Sequence, residues 1–568
     1  MKYFLKKTKP SKKGEYLQIY ISQYIPGKGS RNRSYKSLGY VSDLMKQGIK
    51  DPIAYGQRIV GKLNESISTD VPQIGDVSTS MFAGHFLLKA RIDRLSVDGT
   101  LNLMTSNRKT DFKTSDFIRS MIYAQVLNPG SKLSAFENVI PNIYGARTFS
   151  YDQILDEIEY IGSDYQKYIE CFNHGIELNW HRNTKKAFFD CTNYYFEIDL
   201  EDDLRRKGPS KENRKSPIIG QALMLDAEQV PIAMERYPGN ESEKPYLRKT
   251  VEDGKSRYDI SSKIIEVADK GLNCAKNIYY LHKEGKDGYI FSKSFKGKSL
   301  SQAEKEWIAL DNDDQLWKEV KDEEGNLLYR YKETIGSYEY KFIDDDGREV
   351  RFRTKEKRVV TYNPYLARKQ IREIEKEVEK ARNLSVKGFV KEEIGDKAKY
   401  INIKAKDNSQ TKFEVEVNEE TVSEAKKYAG YNLLVTSEWK MTAKEIYKAY
   451  HGLWRIEESF RVRKTYLEAR PVFLRNKESI YGHFLICYLA LTVLRLLELK
   501  TFEDKIPISA LVDFIRQYTI TETKEKTYIN NSTRSSVYEQ IKSTLGILKL
   551  GNLYLTQKDV NSLFDIDV

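Results

Sequence analysis

The sequence predicts a mixed α/β fold, and three observations carry that expectation. Residues 187–191, 194–198, 218–225 and 231–235 are apolar or alternating runs separated by polar turns, the pattern of three or four antiparallel strands in succession. Residues 264–268 form a β-branched apolar run that ends at Asp269 and Gly271, followed by helix-like residues 274–282 and a further strand at 289–291. A last strand at 432–436 precedes a long helix from about Ala443.

Three antiparallel strands followed by strand, helix, strand belong to the mixed α/β folds, a ribonuclease-H-like sheet among them. The chain is long enough for several such parts: 568 residues and 66.2 kDa imply three to five domains. Hydrophobic residues at 40% and charged residues at 31% exclude a fibrous repeat and wholesale disorder. Lys and Arg number 94 against 82 Asp and Glu, and the excess of +12 favours a polyanionic partner, nucleic acid first.

The four cysteines, Cys171, Cys191, Cys274 and Cys487, lie far apart with no CxxC pair, which suggests neither a disulfide frame nor a zinc knuckle and fits a reducing cytoplasm. The basic N-terminus has no apolar run behind its lysines, unlike a secretory signal. The longest apolar stretch, 484–494, has 11 residues. Spanning a bilayer takes ~20, so no membrane span is expected.

The remaining elements follow in chain order. Residues 1–105, with alternating segments at 16–20 and 85–90 and a basic loop at 28–36, read as an accessory α+β module. Residues 106–180 turn helical, with Ser115 as N-cap of 117–126, Asn128-Pro129-Gly130 as a break, and a helix over 151–172. The break could be the turn of a helix-turn-helix, which makes this the candidate DNA-binding region, with a plain helical connector the simpler reading. The sheet core spans 181–300 and resumes at 429–505. Between them, 301–428 reads as an inserted β-rich domain, with a hairpin around Asp346-Gly347 and a charged, solvated helix at 364–383. Residues 506–568 read as a C-terminal helical region.

Several familiar motifs are absent. Gly297-Lys298-Ser299 has Ser292 where a P-loop needs its first glycine. The acidic run 344–346 has Phe342 where the first calcium ligand of an EF-hand would stand. The six histidines show no paired ligand spacing, and no GxSxG elbow occurs. Three carboxylates remain. Asp190 follows Ala187-Phe188-Phe189, and a charge on a central strand is expensive unless paired or bound to a metal. Asp269 ends the neighbouring strand at its carboxyl edge, where α/β sheets place ligands. Either one alone could equally cap a turn or a helix.

The third is Glu457, within Tyr450-His-Gly-Leu453-Trp-Arg455-Ile-Glu457-Glu458-Ser-Phe-Arg461-Val-Arg-Lys464. On a continuous helix Tyr450, Trp454, Glu457, Arg461 and Lys464 fall within about 40° of one direction, beside an apolar stripe of Ala449, Leu453, Ile456 and Phe460. Taken alone, this is also the pattern of a surface helix with a Glu457–Arg461 salt bridge. Glu458 is rotated about 100° off that face.

These residues resemble the DDE transposases of bacterial insertion sequences, in the branch with a Tyr-x2-Arg-x3-Glu-x6-Lys helix. Tyr450, Glu457 and Lys464 fit that spacing, while Leu453 stands where the family has arginine, so that Arg455 or Arg461 would have to supply the phosphate contact. Asp190 resembles the first acid, and Asp269-Lys270-Gly271 resembles the second. Tyr237-Pro-Gly-Asn240 is similar to a loop between them in related transposases. The spacings of 79 and 188 positions between successive acids agree with the family, the longer one holding the branch's β-rich insertion.

The resemblance implies a transposase that binds terminal inverted repeats, cuts the element ends and joins the 3′-OH to target DNA. Asp190, Asp269 and Glu457 would be its metal ligands for two Mg²⁺ ions, with Mn²⁺ as a substitute, and Tyr450, Lys464, Arg455 and Arg461 its DNA contacts. Double-stranded DNA, a homodimer, and a cytoplasmic, nucleoid-associated location complete the expectation; apolar helices such as 480–499 could serve the dimer, with a core role the stronger reading of that stretch. Two other readings share the acids: another ribonuclease-H-like metal nuclease, and a non-catalytic DNA-binding regulator descended from a transposase.

Overall fold

The computed structural model describes residues 2–11, 14–25, 29–68, 80–211, 215–257, 262–295, 300–309, 316–382, 400–405, 413–523 and 526–567. Gly297, Lys298 and Ser299 lie outside the described residues. The chain divides into two compact units, Met1–Thr79 with Thr521–Thr527, and Ser80–Ile520 with Tyr528–Val568. The expected boundary at 105 thus moves to 79. Residues 85–90, read as alternating, enter the helix Phe86–Leu95, whose Phe86, Leu87, Leu88 and Ile92 are buried in the core of the second unit.

In the first unit β1 (Lys2–Ser11), β2 (Gly14–Ile25) and β3 (Gly29–Tyr40) form an antiparallel meander, followed by the helices Val41–Lys46 and Pro52–Ser68. Leu17, Ile19 and Ile21 alternate along β2 and are buried. Leu5 and Leu38 close on Gly56 of the second helix, and the Asn64 amide pairs with the backbone N–H and C=O of Tyr3. One face of the sheet is thereby packed against the helix.

The second unit is built on a nine-stranded mixed sheet. Its strands are β5 (Lys186–Tyr195), β6 (Ile218–Leu225), β7 (Pro231–Pro238), β8 (Ile265–Ala268), β9 (Gly288–Lys293), β10 (Lys318–Lys321), β11 (Leu327–Ile343), β12 (Glu349–Tyr362) and β15 (Tyr431–Thr436), where β4 (Met81–Phe82), β13 (Ile401–Ala405) and β14 (Phe413–Val417) belong to smaller sheets. Their order is β10-β11-β12-β15-β9-β8-β5-β6-β7. β5, β6 and β7 are antiparallel, β8 runs parallel to both β5 and β9, and β15 is antiparallel to β9. Helices cover both faces, so the central strands are apolar on both sides: Phe188 enters one core and Phe189 the other.

The expected mixed sheet is present, with several differences of detail. The strands expected at 187–191 and 194–198 are one, β5, because Asn193 continues the ladder opposite Gly220, and it ends at Tyr195. The insertion is not a separate β domain: Lys357–Tyr362 of β12 pair with β15, so its long hairpin extends the main sheet. The helix expected at 151–172 is two, Tyr151–Ser163 and Tyr165–Trp180, parted at Asp164. Ser115 lies inside the helix Thr114–Leu127, where its N–H donates to the Asn102 side chain. The C-terminal region is not all helical but contains the strands Thr519–Glu522, Thr527–Asn530 and Tyr554–Thr556.

The stretch expected to end short of a membrane span belongs to a longer helix. Lys477–Thr501 is long and apolar enough to cross a bilayer, yet 94% of its most apolar window is buried inside the fold. It is the central core helix, which is the stronger of the two readings of 480–499. It crosses Tyr151–Ser163 at a pair of glycines. A Cβ on Gly162 would run into the Glu478 carbonyl, and one on Gly482 into the Ile158 carbonyl. Gly482→Ala should therefore lower the denaturation midpoint by the equivalent of ~2 kcal/mol or more. Gly61→Ala, in a helix with open space around that position, should be neutral or stabilising by up to ~1 kcal/mol in the same urea titration.

Candidate active site

The site begins with strand register. The last parallel pair between β5 and β8 is Phe189↔Ala268, so Asp190 and Asp269, one residue further on, stand side by side. Each shares the parity of Phe188 and Val267, whose side chains enter the core beneath the helix Trp454–Arg461. The two acids therefore face that helix, and the third acid lies on it.

The helix is not continuous with its predecessor, as the spacing argument assumed. Ala443–His451 ends at Gly452, and Trp454–Arg461 begins after Leu453. Gly452 lies against the Phe188 ring, where any side chain would collide, and this close approach docks the turn on β5. Leu453 is buried in the core, which accounts for an apolar residue at that position.

Glu457 is exposed and faces the site: burial raises its carboxyl pKa, the Asp269 charge raises it further, and Lys211 opposes them. Its neighbour Glu458 turns into a cluster of arginines, 3.2 Å from Arg455, 2.9 Å from Arg495 and 3.6 Å from Arg461. Arg455 is 5% exposed. It also meets Asp504 at 2.7 Å, Glu498 at 3.5 Å and Gln229 at 2.9 Å. Its guanidinium is committed to holding the helix, which removes it from the expected DNA contacts. Arg461 is 68% exposed, and Lys464 lies with its Nζ 5.5 Å from the Tyr194 ring.

Tyr450 takes a different place from a surface phosphate contact. Its hydroxyl donates to Asp269 Oδ1 at 2.8 Å, and burial followed by the Asp269 charge raises the phenol pKa. Two residues that sequence reasoning did not single out complete the group. Lys211 Nζ lies 3.7 Å from Asp190 Oδ1 and 3.8 Å from Glu243 Oε2, and donates to the Cys191 carbonyl. Asn193 fixes the Lys211 segment, accepting from the Lys211 N–H at 3.3 Å and donating to the Pro209 carbonyl at 3.1 Å. Glu243 stands just before the helix Lys244–Arg257, its Oε1 2.9 Å from the space a Cβ on Gly271 would fill. The only sequence signal for it was its place three residues beyond Tyr237-Pro-Gly-Asn240.

Burial pushes the Asp190 carboxyl up to about 6, with Glu243 and Asp269 adding to it, while Lys211 and the Cys191 N–H at 2.7 Å only partly offset the shift. Burial acts to lower the Lys211 pKa, but Asp190, Glu243 and Asp269 outweigh it and the ammonium is held charged. Among the described residues no three His, Cys, Asp or Glu side chains stand close enough to hold one ion as placed. The donor set nevertheless fits a hard cation: it offers only carboxylate oxygens, and a side-chain ammonium stands between two of them.

Compared with known proteins, the sequence matches no family model and no curated protein. Among solved structures it is similar to a piggyBac transposase in a synaptic complex with hairpin DNA, at 9% identity over 85% of each chain and a TM-score of 0.37. A likeness of that size carries no argument.

Two predictions follow from the electrostatics. Because the folded Asp190 carboxyl binds its proton more tightly than the ordinary value of 3.8, its contribution to stability is full below about pH 4 and is lost as pH rises through about 6. In EDTA, Asp190→Asn should thus be more stable than wild type at pH 8, on the order of 2 kcal/mol, with the gain vanishing near pH 4. Glu458→Gln should cost about 3 kcal/mol by stranding buried arginines, whereas Glu457→Gln should leave the thermal midpoint unchanged or raised.

Proposed function

We propose that this chain is a DDE-type DNA transposase with a ribonuclease-H-like catalytic core, which cleaves the ends of its insertion sequence and joins the freed 3′-OH to target DNA. The observation that carries the reading is the register that stands Asp190 beside Asp269, facing the helix that bears Glu457. Asp190 and Asp269 are brought together by strand register, and Glu457 is turned toward them by a helix that commits its neighbour Glu458 elsewhere. The family resemblance of the same three positions, with Tyr450 and Lys464, supports it.

Asp190, Asp269 and Glu457 would hold two Mg²⁺ ions, which supply activation of the attacking oxygen and stabilisation of the leaving one. The chain's residues do the rest. Asp190 must lose its proton to serve as a ligand, and a pKa of about 6 leaves it ionised at neutral pH. Tyr450, by donating to Asp269 Oδ1, fixes the rotation of that carboxylate and leaves Oδ2 free of this bond. Lys211 balances the acids before DNA arrives. Arg461 and Lys464, one and two turns beyond Glu457, would neutralise backbone phosphates at the cut. In the first step water attacks the phosphodiester at the element end and the 3′ oxygen leaves with a proton. In the second, that hydroxyl attacks a target phosphodiester and one P–O bond is exchanged for another.

Double-stranded DNA is the proposed partner, at both the terminal repeats and the target, with two protomers acting together on the paired ends in the bacterial cytoplasm. The test is cleavage of a labelled duplex carrying the element's own end in Mg²⁺, Mn²⁺ or EDTA. Wild type should nick at the element boundary only with metal, and Glu457→Gln should bind equally while cutting at least a hundredfold less. Equal cutting by both proteins would remove Glu457 from the site. Binding without cutting in either metal would support the regulator, and cutting without strand transfer the plain nuclease.

A further inference from the structure

The first unit carries a charge imbalance that the catalytic site does not use. Between Lys2 and Tyr40 the sequence has ten Lys and Arg and one acid, Glu15, so this short stretch of sequence accounts for +9 of the chain's +12, with Lys12, Lys13 and Lys28 outside the described residues. Its two faces differ in kind. The residues that close on the helix Pro52–Ser68 are Leu5, Leu17, Ile19, Ile21 and Leu38, with Tyr3 and Tyr35 in edge contact beside them.

The opposite face is polar and aromatic. Register places Lys6, Gln18 and Ser37 in one row across the three strands, and Phe4, Tyr20 and Ser34 in the next. Lys6, Ser34 and Ser37 are exposed, and Gln18 and Tyr20 are half-buried. The Gln18 amide donates to the Ser37 hydroxyl at 3.1 Å, and Lys6 Nζ stands 4.5 Å from the Tyr20 ring centroid. These contacts hold donors and acceptors upright on a rigid pleat. A side-chain amide and hydroxyls on such a surface are the groups that read base edges, and exposed cations, Lys6 on this face with Lys7, Arg33 and Lys36 in the rows of Leu17, Ile21 and Ile19, are what a phosphate backbone attracts.

The dimensions agree. Three strands ~4.8 Å apart make a ribbon ~10 Å across, and the major groove of B-form DNA is ~12 Å wide, whereas that of A-form RNA is deep and narrow. We propose that the open face of the β1–β3 sheet, centred on Lys6, Gln18 and Ser37, docks in the major groove of double-stranded DNA. The DNA-reading surface thus lies in the strands before residue 41, and not in the helices of 106–180. Nothing in this assignment depends on the catalytic acids.

The test uses the full chain and fluorescence anisotropy with a 30-bp duplex from the DNA flanking its own coding region. Lys6→Ala/Gln18→Ala should weaken binding tenfold or more and flatten the dependence of log affinity on log salt by about one unit, the loss of one phosphate contact. Ser37→Glu, which sets a carboxylate on an exposed position of the same face, should do at least as much. Lys62→Ala, which removes an equal charge from the helix Pro52–Ser68, should stay within twofold of wild type. An RNA duplex of the same sequence should bind at least tenfold more weakly than DNA. Equal losses from Lys62→Ala and the face variants, or equal affinity for the two duplexes, would overturn the proposal. Glu457→Gln should bind as wild type does, so a failure of the catalytic reading would leave this result standing.

Discussion

Repulsion between carboxylates is the constraint around which the second unit is organised. The β5–β8 register sets Asp190 beside Asp269 on strands whose other residues are apolar, and Glu243 and Glu457 approach from two further elements. A fold stabilised only by burial would not collect four acids at one edge of its central sheet. Lys211 offsets part of the charge. The rest is retained as a raised Asp190 pKa, an energy unfavourable to folding at neutral pH.

The surrounding structure can be understood as support for that edge. The Gly162 and Gly482 crossing lets the apolar helix Lys477–Thr501 lie close against its neighbours, and Arg495 on that helix reaches Glu458 at 2.9 Å. Arg455 joins the same cluster through Asp504 and Glu498. Together these ion pairs fix the rotation of the short helix Trp454–Arg461, and with it the direction of Glu457. Two adjacent glutamates thereby acquire separate roles, one structural and one facing the acids. At the other end, the contact of Gly452 with Phe188 ties the start of the helix to the strand that bears Asp190. The first unit is organised by a different balance, an apolar face that folds and a hydrogen-bonding face, with Lys6 on it, left outward.

Much of the sheet was legible because strands announce themselves locally. The runs at 218–225 and 264–268 needed only β-branched and apolar residues with flanking turns, and both strands fall within a residue of those bounds. The alternation at 85–90 misled, since six residues fit a strand or the apolar face of a helix equally well, and burial on nearly all sides of Phe86–Leu95 decided for the helix. The long insertion hairpin was visible as a hairpin, but its attachment was not. Pairing of β12 with β15 joins segments separated by some seventy residues, and no local pattern encodes such a pair.

For the site, the sequence by itself determined the chemistry on offer: three acids in order, two at strand ends and one on an amphipathic helix, and a cationic excess concentrated before residue 41. Only the tertiary structure decided which groups meet. Whether Arg455 faces DNA or the interior depends on Asp504 and Glu498, and whether Tyr450 touches a phosphate or Asp269 depends on how its helix docks. Lys211 and Glu243 carry no motif and enter the site through folding alone. The physical reason is range: side-chain type and periodicity act over a few residues of chain, whereas electrostatic partnership acts over a few ångströms of space, and only the packed fold relates the two.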